Sequence, residues 1–168
     1  MNKKRNIGAL MLSRGAMIAA LYVALTFVSA IFGLSSGVIQ VRFSEMLCIL
    51  PIFFPEAIPG LFVGCILANT LTGALFFDVV FGSLATLIGA FGAYLLRKIP
   101  EKAKWLATLP TVVANGVIIP FVLIFTYGSE DSYFFILLTV SVGELISATI
   151  FGSLLYYRLR KTSLIQKL

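Results

Sequence analysis

The sequence predicts an all-α integral membrane protein: a six-transmembrane-helix bundle with N- and C-termini cytoplasmic and a short or broken second helix. Three observations predict it. Hydrophobic residues make up 60% of the chain and charged residues 12%, with a mean hydropathy of +1.03, whereas a soluble globular domain carries roughly 25% charged residues. A spanning helix needs about 20 mainly apolar residues, so the 168 residues hold six spans and short connections. The basic residues, finally, sit at the ends of apolar runs, which is how cytoplasmic loops are marked. The formal net charge of +6 is therefore not a nucleic-acid footprint, which would gather the basic residues on one face.

Glycines, prolines and charges punctuate the six segments. The first runs from Arg14 to Gly33, preceded by Lys3, Lys4 and Arg5. No boundary of small residues followed by a polar segment succeeds it, so it is expected to be a retained helix rather than a signal peptide. The second, Ser44 to Phe54, has roughly 11 residues and at 1.5 Å per residue cannot cross a core of about 30 Å. Pro51, Pro55 and Pro59 interrupt its continuation, and such a broken helix is tolerated only where protein or a cavity surrounds the freed backbone groups. Ala57 to Phe76, Asp78 to Leu96, Lys104 to Thr126 and Ser132 to Tyr157 complete the set.

With six spans, three basic clusters fall on one side: Lys3 to Arg14, Arg97 to Lys104, and Arg158 to Lys167. Glu130, Asp131 and Arg42 fall on the other, which places both termini in the cytoplasm. Trp105, Tyr127 and Tyr133 stand at segment ends, either as interfacial anchors or as ordinary lipid-facing aromatics. No internal repeat or low-complexity tail divides the chain, so residues 1–168 are expected to form one domain.

Ionisable groups at membrane depth cost at least roughly 2.5–3.5 kcal/mol and are functional candidates by default. Glu144 is the sharpest, about 12 residues into the sixth segment. Ser141 and Ser147, three residues to either side, make one polar stripe with it on a helix. The stripe must face the bundle interior, either to hold a ligand or to bond a neighbouring helix. Asn115 in the fifth segment and Asn69 in the third carry amides that donate and accept, open to the same two readings. Arg42, Glu45 and Asp78 cluster toward the outer side. Glu45 and Asp78 are equally helix-start residues suited to the N-terminal dipole, and Arg42 and Glu45 are spaced to pair with each other. Taken together these six residues outline an acidic, amide-lined pocket open to the outside and tapering toward Glu144, the arrangement a small-molecule site needs.

Ala16, Ala20 and Ala24 recur every four residues in the first segment, with Gly15 and Ala19 alongside. They make a smooth face on which another helix can pack closely, inside the bundle or on a partner. Cys48 and Cys65 lie in apolar segments and the chain has no histidine, so neither a disulfide framework nor a metal site is expected. There is no phosphate-binding loop, serine elbow or zinc motif, so a primary pump would draw its motor from another polypeptide.

Gln40-Val-Arg42-Phe-Ser-Glu45, Ala57-Ile-Pro59-Gly60 through Gly64 to Ala68-Asn69, Asp78-Val-Val-Phe-Gly82-Ser83 through Thr86, and Gly143-Glu144-Leu together resemble the queuosine-precursor transporter (QueT) family. The likeness runs in order over nearly the whole chain. It implies a substrate-binding S component of an energy-coupling factor (ECF) transporter, a six-helix protein that takes up a deazaguanine base from outside the cell. It implies as partners a transmembrane coupling subunit and two ATPase subunits that use ATP, with no cofactor in this chain. It also implies docking through Ala16, Ala20 and Ala24.

On that resemblance, Glu144 accepts two hydrogen bonds from a guanine-like edge, and Asn115 or Asn69 completes the pattern. Asp78 or Glu45 meets an aminomethyl cation, and Phe43 or Phe81 stacks on the ring. The competing readings are a self-sufficient secondary carrier for a small polar or aromatic solute, a membrane-embedded enzyme using Glu144 and Asp78 as acid and base, and an anchor subunit without ligand.

Overall fold

A computed structural model describes residues 2–35 and 39–162, with side chains from Ile7 onward. The side chains of Lys3, Lys4 and Arg5, and all of Lys167, lie outside the described residues. Among those described every regular element is helical, as expected. Helix α1 spans Asn2–Ile31, starting well before the predicted Arg14. It ends on Gly33, at φ +67°, where Gly33 N–H and Leu34 N–H donate back to the Ala30 and Ser29 carbonyls, both at 2.9 Å. A left-handed glycine with these reversed bonds is a common way to close a helix.

The second element is short, as the prolines require. Phe43–Ile52 is a 3₁₀-helix with Pro51 inside it, and ten residues at about 2 Å rise reach only about 20 Å. Its Ser44, Glu45, Leu47, Cys48, Ile49, Leu50 and Pro51 are buried against α1, α3 and α6, so protein rather than lipid surrounds its irregular backbone. Two side chains from elsewhere satisfy the donors at its start: Arg42 N–H donates to Ser147 Oγ at 3.0 Å, and Phe43 N–H to Ser29 Oγ at 2.8 Å.

Helix α2, Ala57–Leu71, stops five residues short of the predicted Phe76. Gly73, at φ +78°, turns the chain there, while Thr72 Oγ donates to the Ala68 carbonyl at 2.8 Å. The α1–α2 seam is built from small residues. A Cβ on Gly60 would lie 2.6 Å from the Gly15 carbonyl oxygen, and one on Gly64 would lie 2.9 Å from Tyr22 Cβ. This is close backbone approach of the Gly-x-x-x-Gly kind.

Helix α3 covers Phe76–Leu95 and α4 Leu109–Tyr127, joined through the 3₁₀ turns Leu96–Lys98 and Glu101–Thr108. Helix α5, Tyr133–Glu144, is capped by Ser132, whose hydroxyl accepts from Phe135 N–H. It passes into a π-helical stretch, Leu145–Phe151, and then α6, Gly152–Arg160.

Among the described residues, four helical stretches are long and apolar enough to cross a membrane: Ile7–Ile31, Phe76–Lys98, Glu101–Tyr127 and Tyr133–Arg160. Phe43–Ile52 and Ala57–Leu71 are shorter apolar helices. Large apolar side chains such as Leu12, Ile31, Phe76, Phe125 and Phe134 cover the outside, while Ser29, Ser44, Glu45, Asn69, Asp78, Asn115, Glu144 and Ser147 are buried. An apolar exterior around a polar interior suits lipid as solvent, and the chain is a multi-pass membrane protein.

Candidate functional site

Two cavities meet at Arg42. The larger, about 340 Å³, is lined by Thr26, Asn69, Thr72, Asp78, Tyr127 and Arg42 among others. The smaller, about 20 Å³, is lined by Gln40, Arg42, Asn115, Ile119, Val140 and Glu144. Five of the six predicted site residues therefore line one or other of two neighbouring cavities, with Arg42 common to both.

Glu144 closes α5 and is 8% exposed, and its Oε2 has no hydrogen-bond partner. A buried carboxylate oxygen left unpaired is costly, and Glu144 is one of the residues lining the smaller cavity. Asn115 faces the same hole from α4. Its amide N–H donates to the Thr111 carbonyl at 3.1 Å, which leaves the side-chain oxygen to point elsewhere. The segment before the 3₁₀-helix crosses α5 immediately beside Glu144, where a Cβ on Gly143 would overlap the Gln40 carbonyl. Glycine is required at that crossing because two backbones share the space of a methyl group.

Asp78 and Asn69 form the far end of the larger cavity. Asp78 lies in the first turn of α3, the helix-start position anticipated for it, but its carboxylate also has a specific partner. The Tyr127 hydroxyl donates to Asp78 Oδ2 at 3.0 Å and accepts the Leu75 N–H at 3.1 Å. Tyr127 is thus part of the site as well as a residue at a helix end. Asn69 Nδ2 reaches the Asp78 carbonyl at 3.5 Å and Cys65 Sγ at 3.6 Å.

Glu45 stands apart. It is 2% exposed, lines neither cavity, and accepts hydrogen bonds from the Tyr22 hydroxyl and from Cys48 Sγ. The ion pairs among the described residues are Arg14–Glu56 and Arg160–Glu101, so the Arg42–Glu45 pairing that the spacing allows does not form. Neither proposed stacking ring reaches the polar cavities. Phe43 packs edge-on against Phe151 at 5.5 Å, and Phe81 lines an apolar outer groove with Phe77, Phe121 and Phe125.

Thr26, Thr72 and Tyr127, which line the larger cavity, escaped sequence reasoning as site residues. Tyr22, Thr26 and Ser29 are spaced i, i+4 and i+7, a helical polar stripe that marks the inner face of α1. On its outer face Ala16, Ala20 and Ala24 are exposed, whereas Gly15 and Ala19 pack on Gly60 and Gly64 of α2. The smooth surface is therefore divided between an internal seam and an open face, beside which Gly15, Ala16, Ala19, Pro59 and Val63 line a groove of about 570 Å³.

Comparison with known proteins bears on this arrangement. The family model described as "QueT transporter" matches residues 12–161. A relative from Lactococcus lactis subsp. cremoris, "Queuosine precursor transporter QueT", is 36% identical over 91 residues, which cover 54% of this chain and 53% of the relative. The chain thus spans about half the length of that curated relative. No solved structure matches. A multi-pass helical protein whose buried polar residues line two cavities that share Arg42, matched by that model from the first helix to the last, belongs to the QueT transporter family.

Proposed function

We propose that this chain is the substrate-capture subunit of an ECF-type, ATP-driven importer in a prokaryotic plasma membrane, and that it binds a queuosine precursor, a deazaguanine base, from outside the cell. The observation that carries this reading is that Glu144, whose buried Oε2 has no hydrogen-bond partner, lines a cavity with Asn115 and Arg42, in a chain of the QueT transporter family. A guanine-like edge offers adjacent N–H donors and a carbonyl acceptor. Glu144 accepts the donors, and Asn115 and Arg42 stand at the same hole to complete the recognition. At about 20 Å³ that hole is smaller than a bicyclic base, so capture requires the Gln40–Arg42 stretch to draw back from Glu144.

The proposal includes six membrane-embedded segments with both termini cytoplasmic. In that arrangement Arg14, the Arg97–Lys104 group and the Arg158–Lys161 group share the inner side, as the positive-inside rule favours. It also includes docking on a transmembrane coupling subunit through the exposed Ala16, Ala20 and Ala24, with two ATPase subunits supplying the energy.

Calorimetric titration of the purified full-length chain with deazaguanines tests the reading. The wild type is expected to bind, and Glu144→Gln, which removes one acceptor, to weaken capture by at least about tenfold. Unchanged affinity in a folded Glu144→Gln variant excludes Glu144 from recognition, and transport by the purified chain alone in vesicles points to a secondary carrier instead.

A further inference from the structure

We infer that Ser147 and Ser29 are positioning residues for the site: they hold the backbone at Arg42 and Phe43, and they act on ligand affinity through Arg42. This rests on the proposed deazaguanine reading, in which Arg42 takes part in recognition, and adds what puts that side chain in place. The first ground is the pair of hydrogen bonds. Arg42 N–H donates to Ser147 Oγ at 3.0 Å, and Phe43 N–H to Ser29 Oγ at 2.8 Å. Each serine gives its own proton to the carbonyl four residues back on its helix, Ser147 to Gly143 at 2.8 Å and Ser29 to Leu25 at 3.1 Å. A hydroxyl has one proton and two acceptor sites, so each is oriented to accept from the loop. Both serines are fully buried, and removing either leaves a buried N–H without its acceptor, which is costly.

Register is the second ground. Arg42 is extended, at φ −113° and ψ 107°, and the stretch meets the α5 side twice, Gln40 against Gly143 and Arg42 against Ser147. Residues two apart in an extended chain are separated by about 6.6 Å and residues four apart on a helix by about 6 Å, so chain and helix keep step over these contacts. Successive side chains of an extended chain point to opposite sides, and a slip of one residue would turn Arg42 away from both cavities. Ser147 opposes that slip from one side and Ser29, on α1, from the other. Both bonds lie at the 3₁₀-helix end of the stretch, which can therefore draw back for capture and return to the same register. Arg42 lines both cavities and is in neither ion pair found among the described residues, so its place depends on its backbone rather than on a charged partner.

A double-mutant cycle, read by titrating the full-length chain in detergent with the aminomethyl and the cyano deazaguanine, tests the inference. Ser147→Ala is expected to weaken binding about fivefold in the wild-type background. Once Arg42→Gln is present the same change is expected to cost less than about twofold, because a residue that acts through Arg42 has nothing left to position. A serine that only braces the fold would cost the same in both backgrounds, and that result overturns the inference. So does a Ser147→Ala or an Arg42→Gln variant that binds like wild type, and either leaves the deazaguanine reading intact. Binding of neither compound by the wild type overturns both. Should Ser147→Ala not fold, Ser29→Ala decides on the same criterion.

Discussion

The Tyr127 hydroxyl at the end of α4 donates to Asp78 Oδ2 at 3.0 Å while taking the Leu75 N–H at 3.1 Å, so one phenol ties the start of α3 to the carboxylate that faces the larger cavity. Hydrogen bonds to charged groups contribute about 1.5–3 kcal/mol. Tyr127 is 45% exposed, which places the effect at the low end. Tyr127→Phe is expected to lower ligand affinity several-fold by releasing Asp78, with only a small change in melting temperature. Isothermal titration beside a thermal melt in detergent checks this, and an unchanged affinity means that Asp78 is held by other contacts.

Glu45 and Glu144 are both buried carboxylates, yet one has donors and the other has an empty oxygen. Glu45→Ala leaves the Tyr22 hydroxyl and Cys48 without their acceptor, and removing one partner of a buried hydrogen bond costs about 1–3 kcal/mol. The expected outcome is a lowered melting temperature with ligand affinity retained in the folded fraction. Glu144→Gln should behave in the opposite way, losing affinity and keeping stability. Parallel melts and titrations separate the two roles, and a Glu45 variant that melts like wild type but no longer binds would reverse the assignment.

Gly143 supports the backbone crossing at Gln40. Forcing extra volume into a packed site costs about 1–3 kcal/mol, so Gly143→Ala is expected to lower stability and to shift the Gln40–Arg42 stretch, with loss of ligand affinity. Gly8→Ala, where an added methyl meets nothing within 4 Å, serves as the control and is expected to be neutral or slightly stabilising, since alanine favours helix over glycine by about 1 kcal/mol. Thermal melts of the two variants provide the comparison.

Cys48 and Cys65 are each 1% exposed and neither lies in an open cavity lining. A maleimide is expected to label neither thiol in the folded protein and both after denaturation. Rapid labelling under native conditions, followed by mass spectrometry, would show that the core around Tyr22 opens readily.

Docking through the exposed Ala16–Ala20–Ala24 face is tested by Ala20→Cys with a cysteine introduced on the proposed coupling subunit. Oxidative crosslinking is expected in the assembled transporter. No crosslink from any position along this face in an active complex would place the partner elsewhere.

Much of the helix plan was legible because it is local. Apolar runs marked the spans, Pro51 with its neighbours forecast the short second element, and the cost of charge in lipid singled out Glu144, Asp78 and Arg42. Boundaries shifted where short-range geometry intervened: Gly73 and Thr72 ended α2 at Leu71 instead of Phe76, and α1 ran back through the polar residues ahead of Arg14. The small-residue face of α1 was visible, but its division into an internal seam and an open stripe depended on where Gly60 and Gly64 of α2 landed.

By itself the sequence determined that this chain lives among lipids, which of its segments are helical and which few polar side chains must turn inward, because each of these follows from transfer cost and a 3.6-residue period. Only the tertiary structure decided what those side chains meet. Tyr22 finds Glu45, and Tyr127 finds Asp78, across 23 and 49 positions of sequence, and Glu144 keeps an oxygen with no partner. A helical period tells which way a residue faces, whereas its neighbour on another helix is set by how the helices pack, and that long-range choice separates a carboxylate with two donors from one with an unpartnered oxygen.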